Sequence, residues 1–194
     1  AGVALLLAHG LFKAPLFLAA GVVEHEAGTR RAAELSGMWR RLPVTAAASA
    51  AAIASMIGLP PFLGFVAKET AFETFAHDGW DLAVLVGIVA GSTLTTADGA
   101  RFLHAAFRGP GNGARSADPW GMTVPLVVPA AAGLVLGLLT GPLQELIAPY
   151  AGTLGPGGYE LALWHGPGLP LALSALAITA GAVLFLLAGR SYPP

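Results

Sequence analysis

The stretch LLLAHGLFKAPLFLAAG, residues 5–21, is apolar throughout except for His9 and Lys13. It lies within an apolar segment, residues 3–23, and about 20 such residues in a helix cross a hydrocarbon core of roughly 30 Å. His9 and Lys13 are four positions apart, so they share one helix face, roughly 6 Å from each other. A charge at this depth costs free energy and usually has a functional reason. The segment therefore predicts a transmembrane helix with a functional polar pair.

The composition of the whole chain is that of a membrane protein. Of its 194 residues, 55% are hydrophobic and 11% charged, whereas soluble domains carry about 25% charged residues. The formal net charge of -1 indicates no nucleic-acid partner. The absence of cysteine excludes disulfides, thiolate metal sites and cysteine nucleophiles. Because the chain begins with alanine and shows no signal peptide, we expect a fragment whose upstream part is missing.

Five apolar segments are predicted to span the membrane. The second is too long for one straight crossing and contains GLPPFLG, residues 58–64, in which two prolines remove amide donors and break the helix. Broken backbone at membrane depth is tolerated where it is buried in protein or lines a wet cavity. The expected fold is an all-α membrane protein of about five transmembrane helices, the second discontinuous. It would form one transmembrane domain, residues 1–194, within a larger helical bundle, with spans at 3–23, 44–78, 81–107, 122–148 and 168–189.

The loop arginines predict the orientation of these spans. They follow the first, third and fifth spans, while the other two connections hold no lysine or arginine. By the positive-inside rule, the loops at 24–43 and 108–121 are cytoplasmic and residue 1 lies outside. We therefore expect a multi-pass protein of the cell membrane. The arginines concerned are Arg30, Arg31, Arg40, Arg41, Arg108, Arg115 and Arg190.

The only two lysines, Lys13 and Lys68, both lie inside predicted spans. Arginine keeps its proton in proteins, whereas a desolvated lysine can release it. Titratable cations inside the membrane are typical of proton pathways. A proton could pass from His9 to Lys13 directly or through one water. The two lysines therefore predict a proton relay.

Lys68 follows Pro61 by seven residues, near the start of the second half of the broken helix. The positive end of that half-helix disfavours a protonated amine, while nearby acidic residues favour it, so the group could switch. Asp98 and Arg101, three positions apart, could neutralise one another. The predicted relay residues are His9, Lys13 and Lys68, with Glu69, Glu73, Asp98 and Arg101 as supporting residues and Pro60, Pro61 and Gly64 at the helix break. No metal site is predicted.

Simpler interpretations exist for the same residues. A lysine near a helix end can snorkel to the interface, and His9 alone could be a packing residue. The lysines could also pair with partner chains and serve assembly without conducting protons. The assembly interpretation predicts loss of assembly when Lys13 is replaced, whereas the relay predicts loss of ion flux.

Two segments, LLLAHGLFKAPLFL (5–18) and GLPPFLGFVAKE (58–69), resemble the lysine-bearing helix and the discontinuous helix of a known family. It comprises the antiporter-like membrane subunits shared by respiratory complex I and the multisubunit Na+/H+ (Mrp-type) antiporters. HEAGTRR (25–31), LSGMWRRLPVT (35–45) and LALWHGPGLPLALS (161–174) resemble the large A subunit of the antiporter more than the dehydrogenase subunit. The resemblance covers most of the chain.

The resemblance implies that His9 and Lys13 belong to a hydrated relay and that Lys68 is a terminal proton site. It also implies partners, namely other membrane subunits, with protons and monovalent cations such as Na+ as the transported ions. This chain departs from the family at Asp98 and Gly99, where an aromatic and a hydroxyl residue are usual, and the family's upstream glutamate and lysine pair is absent from it.

The leading functional hypothesis is a membrane subunit of a cation/proton antiporter. The first alternative is a proton-pumping subunit of a complex I-like dehydrogenase or hydrogenase, and the second is a non-conducting structural subunit. An embedded enzyme is disfavoured because the sequence has no nucleophile or metal motif. No cofactor is expected.

Overall fold

The computed structural model describes residues 1–29, 31, 35, 37–76, 79–109, 118–153, 160–164 and 166–188. Within these ranges all regular secondary structure is α-helical, and four helices are long and apolar enough to cross a membrane. The predicted all-α membrane fold is confirmed. The helices are α1 (Gly2–Ala27), α2 (Met38–Arg41), α3 (Pro43–Ile57), α4 (Leu63–Thr74), α5 (Trp80–Phe107), α6 (Trp120–Leu138), α7 (Thr140–Gly152) and α8 (Leu169–Ala188).

Helix α1 occupies the middle of the bundle, where it packs against α3, α4 and α6. It continues without interruption through Pro15, whose side chain is buried. Helix α5 packs against α3 and along α8. The apolar core forms two clusters, one around Val22 and Leu126 and the other around Leu63 and Leu143. Both clusters contain residues of α1, which therefore connects the two halves of the bundle.

The discontinuous helix is present as α3 and α4, which residues 58–62 separate. Gly58 ends α3 with φ of 78°, in the left-handed region that glycine adopts most easily. After the two prolines, the chain returns so closely that a Cβ on Gly64 would lie 1.7 Å from the Ser55 carbonyl oxygen. The Gly64 amide donates to Ser55 Oγ at 3.3 Å. Two glycines and one hydroxyl thus hold the two half-helices end to end.

The segment predicted as one span at 122–148 is divided into α6 and α7. The division falls at Leu139, whose backbone has φ of -103° and ψ of 57°. Pro142 has no amide hydrogen to donate to the carbonyl of Leu138, so that carbonyl has no helical hydrogen bond from this position. Proline is tolerated in the first turn of a new helix, so α7 begins at Thr140.

The connections after α1 and α5 meet at one end of the bundle. The Gly37 amide donates to the Arg108 carbonyl at 3.0 Å, and Arg41 Nη2 donates to the Glu26 carbonyl at 3.2 Å. The hydrogen bond between Gly37 and Arg108 agrees with placing both connections on one side of a bilayer. The cytoplasmic assignment of that side stays a prediction. Arg30, Arg115 and Arg190 lie outside the described residues.

Asp118 fastens the start of α3 to the start of α6. Its carboxylate accepts hydrogen bonds from the Val44 amide at 3.1 Å, the Thr45 amide at 3.0 Å and the Thr45 hydroxyl at 2.7 Å. The side chain of Asp118 is buried. A carboxylate at this position satisfies free amides of the first turn and complements the positive end of the helix dipole.

We expect Asp118→Ala to loosen the first turn of α3. Loss of such a cap costs about 1–2 kcal/mol, which raises local opening roughly 5- to 30-fold. Hydrogen–deuterium exchange of a peptide covering residues 43–50, measured on the full-length protein, would report this change. Asp118→Asn, which keeps one acceptor, should give protection between that of the unchanged protein and that of Asp118→Ala. Asp81→Ala in α5 is the matched control. Unchanged protection in Asp118→Ala would contradict the capping role.

Candidate proton-transfer site

His9 and Lys13 lie one turn apart near the middle of α1. The His9 side chain is exposed and packs against Phe12, with ring centroids 5.2 Å apart. Lys13 is half-buried. In the part of the chain that the structure describes, no hydrogen bond or ion pair engages Lys13. The amine of Lys13 is therefore available to a proton, a water or a carboxylate.

Lys13 faces an open cavity of about 250 Å³ between α1, α3 and α5. Helix α3 contributes the apolar side chains of Ile53 and Met56, and α5 contributes Asp98 together with apolar neighbours. A cavity of this size has room for several waters, each occupying about 30 Å³. Lys13 thus borders an open space that has room for water and that Asp98 also lines.

Lys68 is buried on α4, with 6% of its surface exposed. Its ammonium donates a hydrogen bond to the Ile57 carbonyl in the last turn of α3. The ammonium also lies 5.9 Å from the centre of the Phe72 ring, within the range of a cation–π contact. A Cβ on Gly58 would lie 2.4 Å from Lys68 Cε, so only glycine there leaves room for the amine. The helix break therefore creates both the space in which the Lys68 amine lies and the carbonyl to which it donates.

The sequence placed Lys68 near the positive end of α4, but the amine lies at the end of α3. The free carbonyls at the end of a helix carry partial negative charge, which favours a cation. Only a fold that returns α4 beside the end of α3 produces this environment. The electrostatic partner of Lys68 is thus the preceding half-helix.

Glu69 is the next residue on α4 and is also buried, with 8% exposed. Its Oε1 accepts a hydrogen bond from Ser174 Oγ of α8 at 2.5 Å. Glu73, one turn further, is exposed. Of the acidic residues predicted near Lys68, Glu69 therefore forms part of the buried polar site, and Glu73 lies at its edge.

The last turn of α3 lies between the two lysines. Met56 lines the cavity that Lys13 faces, and the adjacent residue, Ile57, accepts the hydrogen bond from Lys68. One helical turn therefore contributes a residue to the site of each predicted relay lysine.

Asp98 and Arg101 lie on α5 with Arg101 Nη1 3.6 Å from Asp98 Oδ1. Both side chains are substantially exposed, at 73% for Asp98 and 47% for Arg101. Such an ion pair holds its partners loosely. Asp98 also lines the cavity that Lys13 faces.

Two groups of the site were missed by sequence reasoning. Ser174 belongs to an apolar run in which no spacing or motif marks one hydroxyl, and its partner Glu69 is 105 residues away. The Ile57 carbonyl is a backbone group, which no side-chain pattern identifies. The two prolines after α3 are the only sequence signal that its last carbonyls need partners outside the helix.

Comparison with known proteins agrees with this architecture. Residues 1–95 match the family described as "NADH:quinone oxidoreductase/Mrp antiporter, TM". Across 93% of the chain, the fold matches the solved structure of the Mrp complex from Dietzia sp. DQ12-45-1b, with a TM-score of 0.76 and 39% identity over 20% of that chain. The chain therefore belongs to the cation/proton antiporter and complex I-like family of membrane subunits.

Within this family the chain is similar to the large A subunits of antiporters along nearly its whole length. It is 35% identical to a probable K(+)/H(+) antiporter A/B subunit of Rhizobium meliloti over 95% of the chain and 20% of that protein. It is 31% identical to the A subunit of the Na(+)/H(+) antiporter of Bacillus subtilis over 93% of the chain and 26% of that protein. The chain thus spans about a fifth to a quarter of the curated relatives it matches.

Proposed function

We propose that this chain is part of a membrane subunit of a cation/proton antiporter and carries a proton relay through His9, Lys13 and Lys68. One observation supports the relay above others: the last turn of α3, where the helix is broken, contributes Met56 to the Lys13 cavity and the Ile57 carbonyl to Lys68. Both groups can release a proton, which arginine at the same places could not do.

The relay proceeds in three steps. A proton on His9 passes to Lys13, one turn away on α1, directly or through water. It then crosses the cavity beside Met56 and reaches Lys68 at the helix break. From there, Glu69 is the nearest buried carboxylate on the same helix, and its hydrogen bond to Ser174 holds it in place.

Cation movement is coupled to this relay through the charge on the lysines. A proton that arrives at Lys13 or Lys68 adds a positive charge to a site of low polarity, which disfavours a second cation nearby. The relatives described above carry Na(+) or K(+) in their names. We propose a monovalent cation as the exchanged ion, with Na+ as the first candidate.

The whole protein is proposed to work in the cell membrane together with other membrane subunits. Its solved neighbour is part of an Mrp complex. The relay in this chain needs no cofactor. Its loops at 24–43 and 108–121 would face the cytoplasm, as the arginines predict.

A redox-driven proton pump is the second candidate, because the matching family is described by both NADH:quinone oxidoreductase and Mrp antiporter. It would use the same lysines without a cation. The two functions differ in the energy source that moves the proton, which is a cation gradient in the antiporter and electron transfer in the redox-driven pump.

Everted vesicles containing the complete assembled complex separate these functions. We expect a pulse of Na+ or K+ to move protons in the presence of a respiratory inhibitor, since antiport needs only the ion gradients. Vesicles without the complex, and vesicles pulsed with a large organic cation, are the controls. Proton movement that requires electron transfer and ignores the cation would overturn the antiport proposal.

A further inference from the structure

The cavity beside Lys13 contains two opposite charges in an apolar wall. Of the described residues that line it, Lys13 on α1 and Asp98 on α5 are the charged ones, and α3 contributes only apolar side chains. Asp98 lies nine residues before the end of α5 at Phe107, about 14 Å along the helix. A carboxylate and an amine at this depth each need a partner.

Among the described residues, Asp98 forms one ion pair, with Arg101, and that ion pair is weak. The nearest approach to Arg101 is 3.6 Å, with both side chains more than a third exposed. Arg101 also lines a second cavity, of about 510 Å³, together with Glu24 near the end of α1. Asp98 thus has Arg101, a permanent cation, on the side of the end of α1, and Lys13 on the side of the middle of α1.

The charges of these groups allow two arrangements. Arg101 is always positive, Asp98 is negative, and Lys13 is positive only while it holds a proton. When Lys13 is protonated, the Asp98 carboxylate is the counter-ion of two cations, Lys13 and Arg101. When Lys13 has released its proton, the carboxylate serves Arg101 alone.

We propose that Asp98 is a counter-ion shared by Lys13 and Arg101, and that it moves towards Lys13 when the lysine takes up a proton. This inference rests on the relay proposed above and assigns it a positioning residue. In an apolar wall, a carboxylate within reach stabilises a charged amine far more than it would in water.

A double-mutant cycle in the full-length protein tests the pairing. The variants are Lys13→Gln, Asp98→Asn and both together, with Asp81→Asn as the matched carboxylate at the other end of α5. The readouts are the melting temperature of the assembled complex and cation-driven proton movement in vesicles. We expect Asp98→Asn to lower exchange about tenfold, a change typical of losing one strong charge coupling, and Asp98→Glu to retain it.

The melting temperatures distinguish a shared counter-ion from a merely structural residue. Lys13→Gln combined with Asp98→Asn should lower the melting temperature by less than the sum of the two single shifts, because each single variant has already lost the interaction between Lys13 and Asp98. Lys13→Gln combined with Asp81→Asn should show the sum of the two single shifts. Strict additivity for the Lys13 and Asp98 pair, with exchange lost in Lys13→Gln, would overturn this inference alone. Full exchange in Lys13→Gln would overturn the relay and this inference with it.

Discussion

Replacing Lys13 by alanine is expected to abolish cation-driven proton movement while the complex still assembles. Lys13 lies near the middle of α1, without a hydrogen bond or ion pair among the described residues, at a cavity with room for water. If protons pass through its amine, removing the amine interrupts the path. Loss of a proton-transfer group typically costs about 100-fold or more in rate. The measurement is proton flux in everted vesicles, compared at equal abundance of the assembled complex.

Lys13→Arg distinguishes a relay from a structural charge. Arginine keeps the positive charge and much of the reach but does not release its proton. We therefore expect Lys13→Arg to be as inactive as Lys13→Ala. His25→Gln, a titratable residue in the last turn of α1, is the control that should keep exchange. Normal flux in Lys13→Arg would show that only the charge matters, and loss of assembly in Lys13→Ala with normal flux in Lys13→Arg would favour a structural role for the chain.

Lys68→Met is expected to stop exchange as completely as the change at Lys13. Methionine keeps an unbranched side chain of similar length, so the buried space at the helix break stays filled. It cannot donate to the Ile57 carbonyl or carry a proton. If Lys68 is the terminal site of the relay, flux should fall by about 100-fold or more. The loss of its hydrogen bond should also raise amide exchange in the turn at residues 58–62.

A matched control for Lys68 is Glu145→Gln, an exposed charge on α7. It should leave both flux and amide exchange at the break unchanged. Proton movement that persists in Lys68→Met, with the complex intact, would contradict a terminal role for Lys68. The buried carboxylate of Glu69, with its Ser174 partner, would then be the group to test next.

The amount of the site that could be predicted differed from group to group. The pairing of His9 with Lys13 on one face follows from spacing within one helix, and α1 is a single helix in the structure. The environment of Lys68 did not follow, because the sequence shows its own helix but not the neighbouring end of α3. The sequence analysis named Asp98 as a supporting residue but did not place it beside Lys13, since only tertiary packing brings α1 and α5 to one cavity.

The fold shows a similar difference. The prolines at 60 and 61 predicted the break between α3 and α4, whereas the division at Leu139 was missed although Pro142 follows it. In the first case two adjacent prolines remove two donors, whereas Pro142 is one of three separate prolines in its segment, and α6 continues through the other two, Pro125 and Pro129.

By itself, the sequence determined that this is a helical membrane protein with two titratable amines inside its apolar segments. Hydrophobicity and helix geometry are local properties, so each segment of about 20 residues carries its own evidence. Only the tertiary structure decided which groups those amines meet. Lys68 binds a carbonyl of the preceding half-helix, Glu69 binds a hydroxyl from α8, and Lys13 shares a cavity with Asp98. Hydrogen bonds and close ion pairs between helices need polar atoms within about 3–4 Å of each other, and that proximity is set by packing and by glycines that let backbones approach.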